Sequence, residues 1–133
     1  VDYATKALAL DQNDMDAALL IAIGKANMKD PEAKRYFEIA TGAEKPTRHA
    51  LLNYASYDEE NNEYEGALAN IERCETVYEH TMNTMISKAR IYDKMGKNDK
   101  GTAEYRALLY SGFELDPDLT KFIKGRIALM KNK

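Results

Sequence analysis

Two histidines, one cysteine and a run of carboxylates are the residues whose types could do chemistry in this chain. His49 and His80 are 31 residues apart, on what the apolar pattern makes separate helices. Cys74 is in phase with Ala67 and Ile71, the spacing of a buried helical face, where a thiol behaves as a small apolar group. A nucleophilic pair of Cys74 and His80 fails on geometry, because six residues place two side chains on roughly opposite faces of a helix. Asp58-Glu59-Glu60, followed by Glu63 and Glu65, could attract a cation. That run lacks the alternating oxygen ligands and central glycine of a calcium loop, and it reads as a solvated helix end. No HExxH, GxSxG, P-loop or paired CxxC occurs. The chain therefore reads as a non-enzyme that holds no metal and no cofactor.

Charge and length narrow the partners. The 133 residues carry 19 basic against 22 acidic side chains, whereas a nucleic-acid binder usually has a basic excess to neutralise phosphates. Lys121, Lys124, Arg126, Lys131 and Lys133 make the last helix basic, with Phe122 among them. Cations at a helix C-terminus are favoured by the macrodipole, and Phe122 is in phase with the core positions, so no nucleic-acid partner is expected. The longest apolar run, Ala17 to Ile23, is far short of the roughly 18 residues that span a bilayer. No membrane insertion and a soluble chain are expected, and a single cysteine excludes an internal disulfide. The start lacks a secretory signal, and Val1 is not an initiator methionine, so the chain reads as a piece of a longer protein. Upstream residues or a second copy are expected to cover Tyr3, Ala7 and Leu10.

The elements that must position these residues are helices. Apolar residues recur at helical spacing, and the interruptions are caps and turns. Tyr3–Leu10 reads as the end of a helix, and a second runs over about 15–29 with Leu19, Leu20, Ile23 and Asn27 near one face. Asp30-Pro31-Glu32 restarts the chain into a helix that carries Tyr36, Phe37 and Ala40 inward. Thr47 opens the next, with Leu51, Tyr54, Ala55 and Asp58 in register. Asn61-Asn62 turns into a helix with Ala67, Leu68, Ile71 and Cys74. His80-Thr81 introduces another with Met85, Ala89 and Tyr92, closed by Gly96. Ala103, Tyr105, Leu108 and Leu109 follow, and Asp116-Pro117 starts the last helix with Leu119, Phe122, Ile123, Ile127 and Met130. Seven Gly and three Pro are too few for a turn-rich β fold. The fold class is all-α.

The pattern also repeats. Leu51, Tyr54, Ala55, Asp58, Ala67, Ile71 and Cys74 share their spacing with Met85, Lys88, Ala89, Tyr92, Gly101, Tyr105 and Leu108, at an offset of 34 residues. Small residues fall where two helices of a hairpin approach closely, and large ones fall where hairpins cover each other. Leu20, Ile23, Gly24 and Asn27 with Ala33, Phe37 and Ala40 give a further hairpin, with a turn about three residues shorter and expected to be tight or irregular. These residues resemble the tetratricopeptide repeat (TPR), a helix–turn–helix of 34 residues. Lys88 departs from the pattern in a normally apolar position, and the Trp and Pro signature residues are missing.

The resemblance implies a single domain, 1–133, forming an α-α superhelix, a TPR-like solenoid. Its units would be a partial one at 1–13, hairpins at 14–45, 46–80 and 81–115, and a capping helix at 116–131. It also implies a concave groove lined by the first helix of each hairpin. Carried over position by position, that lining includes Ile21, Lys25, Met28 and Lys29, then His49, Leu52, Ser56, Glu59 and Glu60, then Asn83, Ile86, Arg90, Asp93 and Lys94. Family members that clamp a chaperone's terminal carboxylate use a Lys, Asn and Arg set. Only Asn53 matches it here, while Ile21, Lys25, Asn83 and Ser87 depart, so that role is not expected. What remains is a module that holds a protein or peptide partner and serves as a scaffold for complex assembly. Short TPR proteins of this layout are similar to those of bacterial pilus assembly, secretion and envelope biogenesis, in the cytoplasm or periplasm. The alternative is a structural or oligomerisation segment whose groove is filled by its own chain or by a second copy.

Overall fold

The computed structural model of the chain describes residues 12–131, with side chains from Met15 onward. Among the described residues there are seven helices and no strand: α1 (Gln12–Asn27), α2 (Ala33–Ala40), α3 (Arg48–Glu60), α4 (Tyr64–Tyr78), α5 (Met82–Lys94), α6 (Asn98–Leu109) and α7 (Pro117–Lys131). The protein is all-α. The expectations placed on Tyr3, Ala7, Leu10 and Lys133 lie outside the described residues.

The helix starts follow from capping chemistry. The Asp30 carboxylate accepts from Glu32 N–H at 2.9 Å ahead of α2. The Thr47 hydroxyl accepts from Ala50 N–H at 3.1 Å at the start of α3. Thr81 and Thr84 cap α5 reciprocally, each hydroxyl accepting from the other's backbone N–H. Asp116 accepts from Asp118 N–H at 2.7 Å ahead of α7.

Three helix ends share one closure. Lys29, Asn62 and Gly96 all take left-handed φ, at 57°, 62° and 75°. The next N–H then reaches back five residues: Asp30 to Lys25 O at 2.8 Å, Glu63 to Asp58 O at 2.8 Å, and Lys97 to Tyr92 O at 3.0 Å. This is the Schellman closure, which satisfies carbonyls left over at a helix end. It recurs at Lys29, Asn62 and Gly96 with almost constant spacing, so α1–α2, α3–α4 and α5–α6 are three hairpins turned in the same way. The connection after α1, 28–32, is two residues longer than 61–63 and 95–97, so the first hairpin shares the closure of α1 but not the immediate restart of the next helix.

The chain divides into two compact units, the first through Val77 and the second from Tyr78. In the first, Ala18, Ala22, Ala33 and Ala40 are buried and, having no side chain beyond Cβ, let α1 and α2 approach closely. Phe37 stacks on Tyr54 of α3, with centroids 5.3 Å apart and planes 7° from parallel, and also meets Tyr57 at 5.1 Å. Full burial of a Phe ring contributes about 1.5–3 kcal/mol, and an aromatic pair about 0.5–1.5 more. Arg73 on α4 donates to the carbonyls of Thr41 and Ala43, both at 2.8 Å, tying α4 to the chain that leaves α2.

In the second unit Met85, Ala89, Tyr105, Leu108, Ile123 and Met130 form the core, so α7 closes the α5–α6 hairpin. Gly101 lies under α7, where an added Cβ would come within 2.5 Å of the flexible Met130 methyl. Lys88, the unexpected charge of the repeat pattern, is accommodated by pairing with Glu104 at 3.4 Å.

Five packing expectations need correction. The packed face of α1 is Ala18, Leu19 and Ala22, whereas Leu20 is 72% exposed and Asn27 is also exposed. Because α1 is apolar on most sides, its periodicity does not choose a face. The small pair of this hairpin is thus Ala22 and Ala33, eleven positions apart against twelve for Ala55 and Ala67, so the spacing between paired positions is one residue shorter and not three. Ala103 points to solvent because Gly101, Tyr105 and Leu108 form the packed side of α6. Phe122 is 55% exposed, at the rim of the core, where its ring meets Tyr105 edge-on at 6.4 Å. On α5, Ile91 is fully buried while Tyr92 is only half-buried.

Candidate interaction surface

The expected lining residues divide into those offered to solvent and those engaged in the fold. On α3, His49 and Ser56 are exposed and Leu52 and Glu59 half-buried, so this helix presents one continuous face away from Leu51, Tyr54 and Ala55. Asn53 donates to His49 O at 2.8 Å, and its amide nitrogen lies 3.2 and 3.4 Å from the two ring nitrogens of His49. On α5, Asn83, Arg90 and Lys94 are exposed. Ile86 is half-buried against the second unit's core, leaving only an edge to solvent.

Two expected residues are engaged elsewhere. Asp93 takes a two-pronged grip from Arg126 of α7, at 2.7 and 2.8 Å, and accepts from the Tyr105 hydroxyl at 3.4 Å. Burial, with the Asp93 charge beside it, pushes the Tyr105 hydroxyl up to about 12, so it stays a donor. The hydrogen bond to Asp93 raises Arg126 further above its ordinary value. Lys25 pairs with Asp30 at 3.2 Å and with Glu32 at 3.8 Å, and lies 5.7 Å over the Tyr36 ring. The hydrogen bond to Asp30 raises Lys25, while backbone donation from Glu32 and the Lys25 contact lower Asp30. Lys25 therefore braces the α1–α2 turn.

Sequence reasoning missed a cleft in the first unit. Ala26, Asn27, Lys29, Asp30 and Pro31 face Tyr57, Glu60 and Asn61 across a space of about 730 Å³. It brings Lys29 and Glu60, assigned to different hairpins, to one place. The two left-handed turns position it, and only their Asx and Pro residues could have signalled it in sequence. Met28 is 71% exposed beside this turn.

The chemistry-bearing residues fall as follows. Cys74 is fully buried, and burial raises its thiol above the ordinary value, which keeps it protonated and inert. His80 is exposed, with its ring edge-on to Phe113 at 6.2 Å. Of the acidic run, Glu60, Glu63 and Glu65 are exposed at the helix ends, but Asp58 is only 3% exposed. Asn70 donates to Asp58 at 3.2 Å, and burial, with Glu63 and Glu38 nearby against Lys34, pushes its carboxyl up to about 6. Among the described residues no three His, Cys, Asp or Glu side chains gather as metal ligands. No described helix is long and apolar enough to cross a membrane.

In comparison with known proteins, the chain matches no family model and no curated protein. The functional reading therefore stands on the residues themselves.

Proposed function

We propose that the chain is a non-catalytic, TPR-like interaction module that holds a partner polypeptide on the outward faces of its hairpins' first helices. The observation that supports this most is the triple recurrence of the same hairpin turn at Lys29, Asn62 and Gly96. Repeated hairpins cannot bury their apolar faces singly, and their characteristic product is an extended surface that recognises other chains. In the first unit that surface is His49, Leu52, Ser56 and Glu59, with Lys29 and Glu60 at its turn cleft. In the second unit it is Asn83, Arg90 and Lys94, with the edge of Ile86. The mixture of cation, anion, amide and apolar edge suits a peptide or helix with both charged and apolar side chains. Scaffolding of a larger assembly is the role such a surface serves.

The test is charge reversal at exposed positions of these faces. Arg90→Glu should keep the helix content and weaken partner capture at least about tenfold, a typical cost for a charged contact within an interface. Unchanged capture with Arg90→Glu, Ser56→Arg and His49→Glu alike would refute the proposal.

A further inference from the structure

The cleft of the first unit lies between the C-terminal ends of α1 and α3. One wall is Asn27 with the turn that holds Lys29 and Pro31, and the other is Tyr57, Glu60 and Asn61. Both walls are fixed. Lys29 and Asn62 close their helices through the 2.8 Å backbone bonds described above, Lys25 ties down Asp30 at 3.2 Å, and the Tyr57 ring rests on Phe37 at 5.1 Å. A site held rigid in advance loses little freedom when it binds.

Lys29 on one wall and Glu60 on the other are both exposed. Among the described residues neither side chain has an ion-pair or hydrogen-bond partner, so the two charges face one space of about 730 Å³ without neutralising each other. That volume falls within the about 300–1,000 Å³ typical of ligand sites. The Asn27 side chain is also unengaged, while Asn61 uses its amide N–H on Tyr57 O at 2.8 Å and keeps its side-chain oxygen to accept. The complement is a ligand with one positive group, one negative group and N–H donors between them. An extended polypeptide supplies all three, because side chains two residues apart lie on the same side of a strand. We propose that the cleft takes an extended segment of the partner with a cation and an anion two residues apart, the cation against Glu60 and the anion against Lys29. This deepens the interaction reading and rests on it: the cleft is where the order of charges along the partner is read.

The experiment is an NMR titration of the full chain with acetyl-Lys-Ala-Glu-amide, acetyl-Glu-Ala-Lys-amide, the uncharged acetyl-Gln-Ala-Gln-amide and free glycine. The backbone amide signals of Asn27, Lys29 and Asn61 should shift saturably with one charge order, at least about tenfold more tightly than with the uncharged peptide. Lys29→Gln and Glu60→Gln should each abolish the preference for order, and Lys29→Glu combined with Glu60→Lys should pass it to the other order. The same response to all three peptides, no shift at those signals, or a preference that the charge swap leaves unreversed overturns the proposal. Glycine binding as tightly as the preferred peptide also overturns it, since the cleft would then take free amino acids. Any of these results alongside capture that Arg90→Glu weakens sinks the cleft assignment alone. Ordered peptide binding alongside capture indifferent to Arg90→Glu, Ser56→Arg and His49→Glu supports the charge reading of the cleft and sinks the wider surface.

Discussion

Arg126 on α7 grips Asp93 on α5 through two hydrogen bonds of 2.7 and 2.8 Å, across 33 residues of sequence. The TPR resemblance implies a partner-binding face for Asp93, yet its carboxylate anchors the helix that closes the second unit. The pair is partly shielded, and the Tyr105 hydroxyl supports it from inside the core. Arg126→Met keeps the aliphatic stem but leaves Asp93 without its cation, and should lower stability by about 1–2 kcal/mol. Urea unfolding checks this. Asp93→Asn in the Arg126→Met background should cost little more, because the two residues act as one unit.

Asp58 gives a stability profile of opposite sign to an ordinary ion-paired carboxylate. Its folded-state value, about 6, lies above the usual 3.8, so the folded chain binds this proton more tightly than the unfolded one. Its contribution is therefore fully present below about pH 4, is lost as pH rises to about 6, and stays constant above. Asp58→Asn should gain about 1–3 kcal/mol over the parent at pH 7, with the gain disappearing near pH 4. Denaturation curves of both proteins across that range are the check.

Gly66 belongs to the same site, because a Cβ there would lie 2.8 Å from the Asp58 carboxylate. Gly66→Ala gains helix propensity but displaces the carboxylate from Asn70. It should be neutral or destabilising by about 1 kcal/mol, although an ordinary exposed helical Gly→Ala change stabilises by about that amount. Thermal unfolding of Gly66→Ala against Gly125→Ala, whose Cβ position is open, makes the comparison.

Lys29 holds a left-handed conformation that a side chain disfavours. Lys29→Gly should stabilise the protein by about 1 kcal/mol, and Gly96→Ala should destabilise it by a similar amount. Chemical denaturation reads both.

Helix positions and turns were legible in the sequence because caps and left-handed turns are local. Thr47, Thr81 and Asp116 begin helices where their side chains find free N–H groups. Which face of a helix packs was legible where the pattern is two-sided, as with Leu51, Tyr54 and Ala55, and illegible on α1, which is apolar nearly all round. The exposed α3 face follows from the same two-sidedness. The engagement of Lys25 and Asp93 was not readable, because each depends on a partner reached only after the chain has turned. Arg73 is similar: its carbonyl partners lie 30 and 32 residues away, and no local pattern selects them.

The most direct measurement of the interaction reading is site-specific photocrosslinking in native lysate. One probe replaces Ser56 on the outward face of α3, and another replaces Thr76, an exposed residue of α4. The account predicts a discrete polypeptide adduct at Ser56, competed away by unlabelled protein and lost with His49→Glu, and no such adduct at Thr76. Equal labelling at the two positions, or no competed adduct at Ser56, would contradict it.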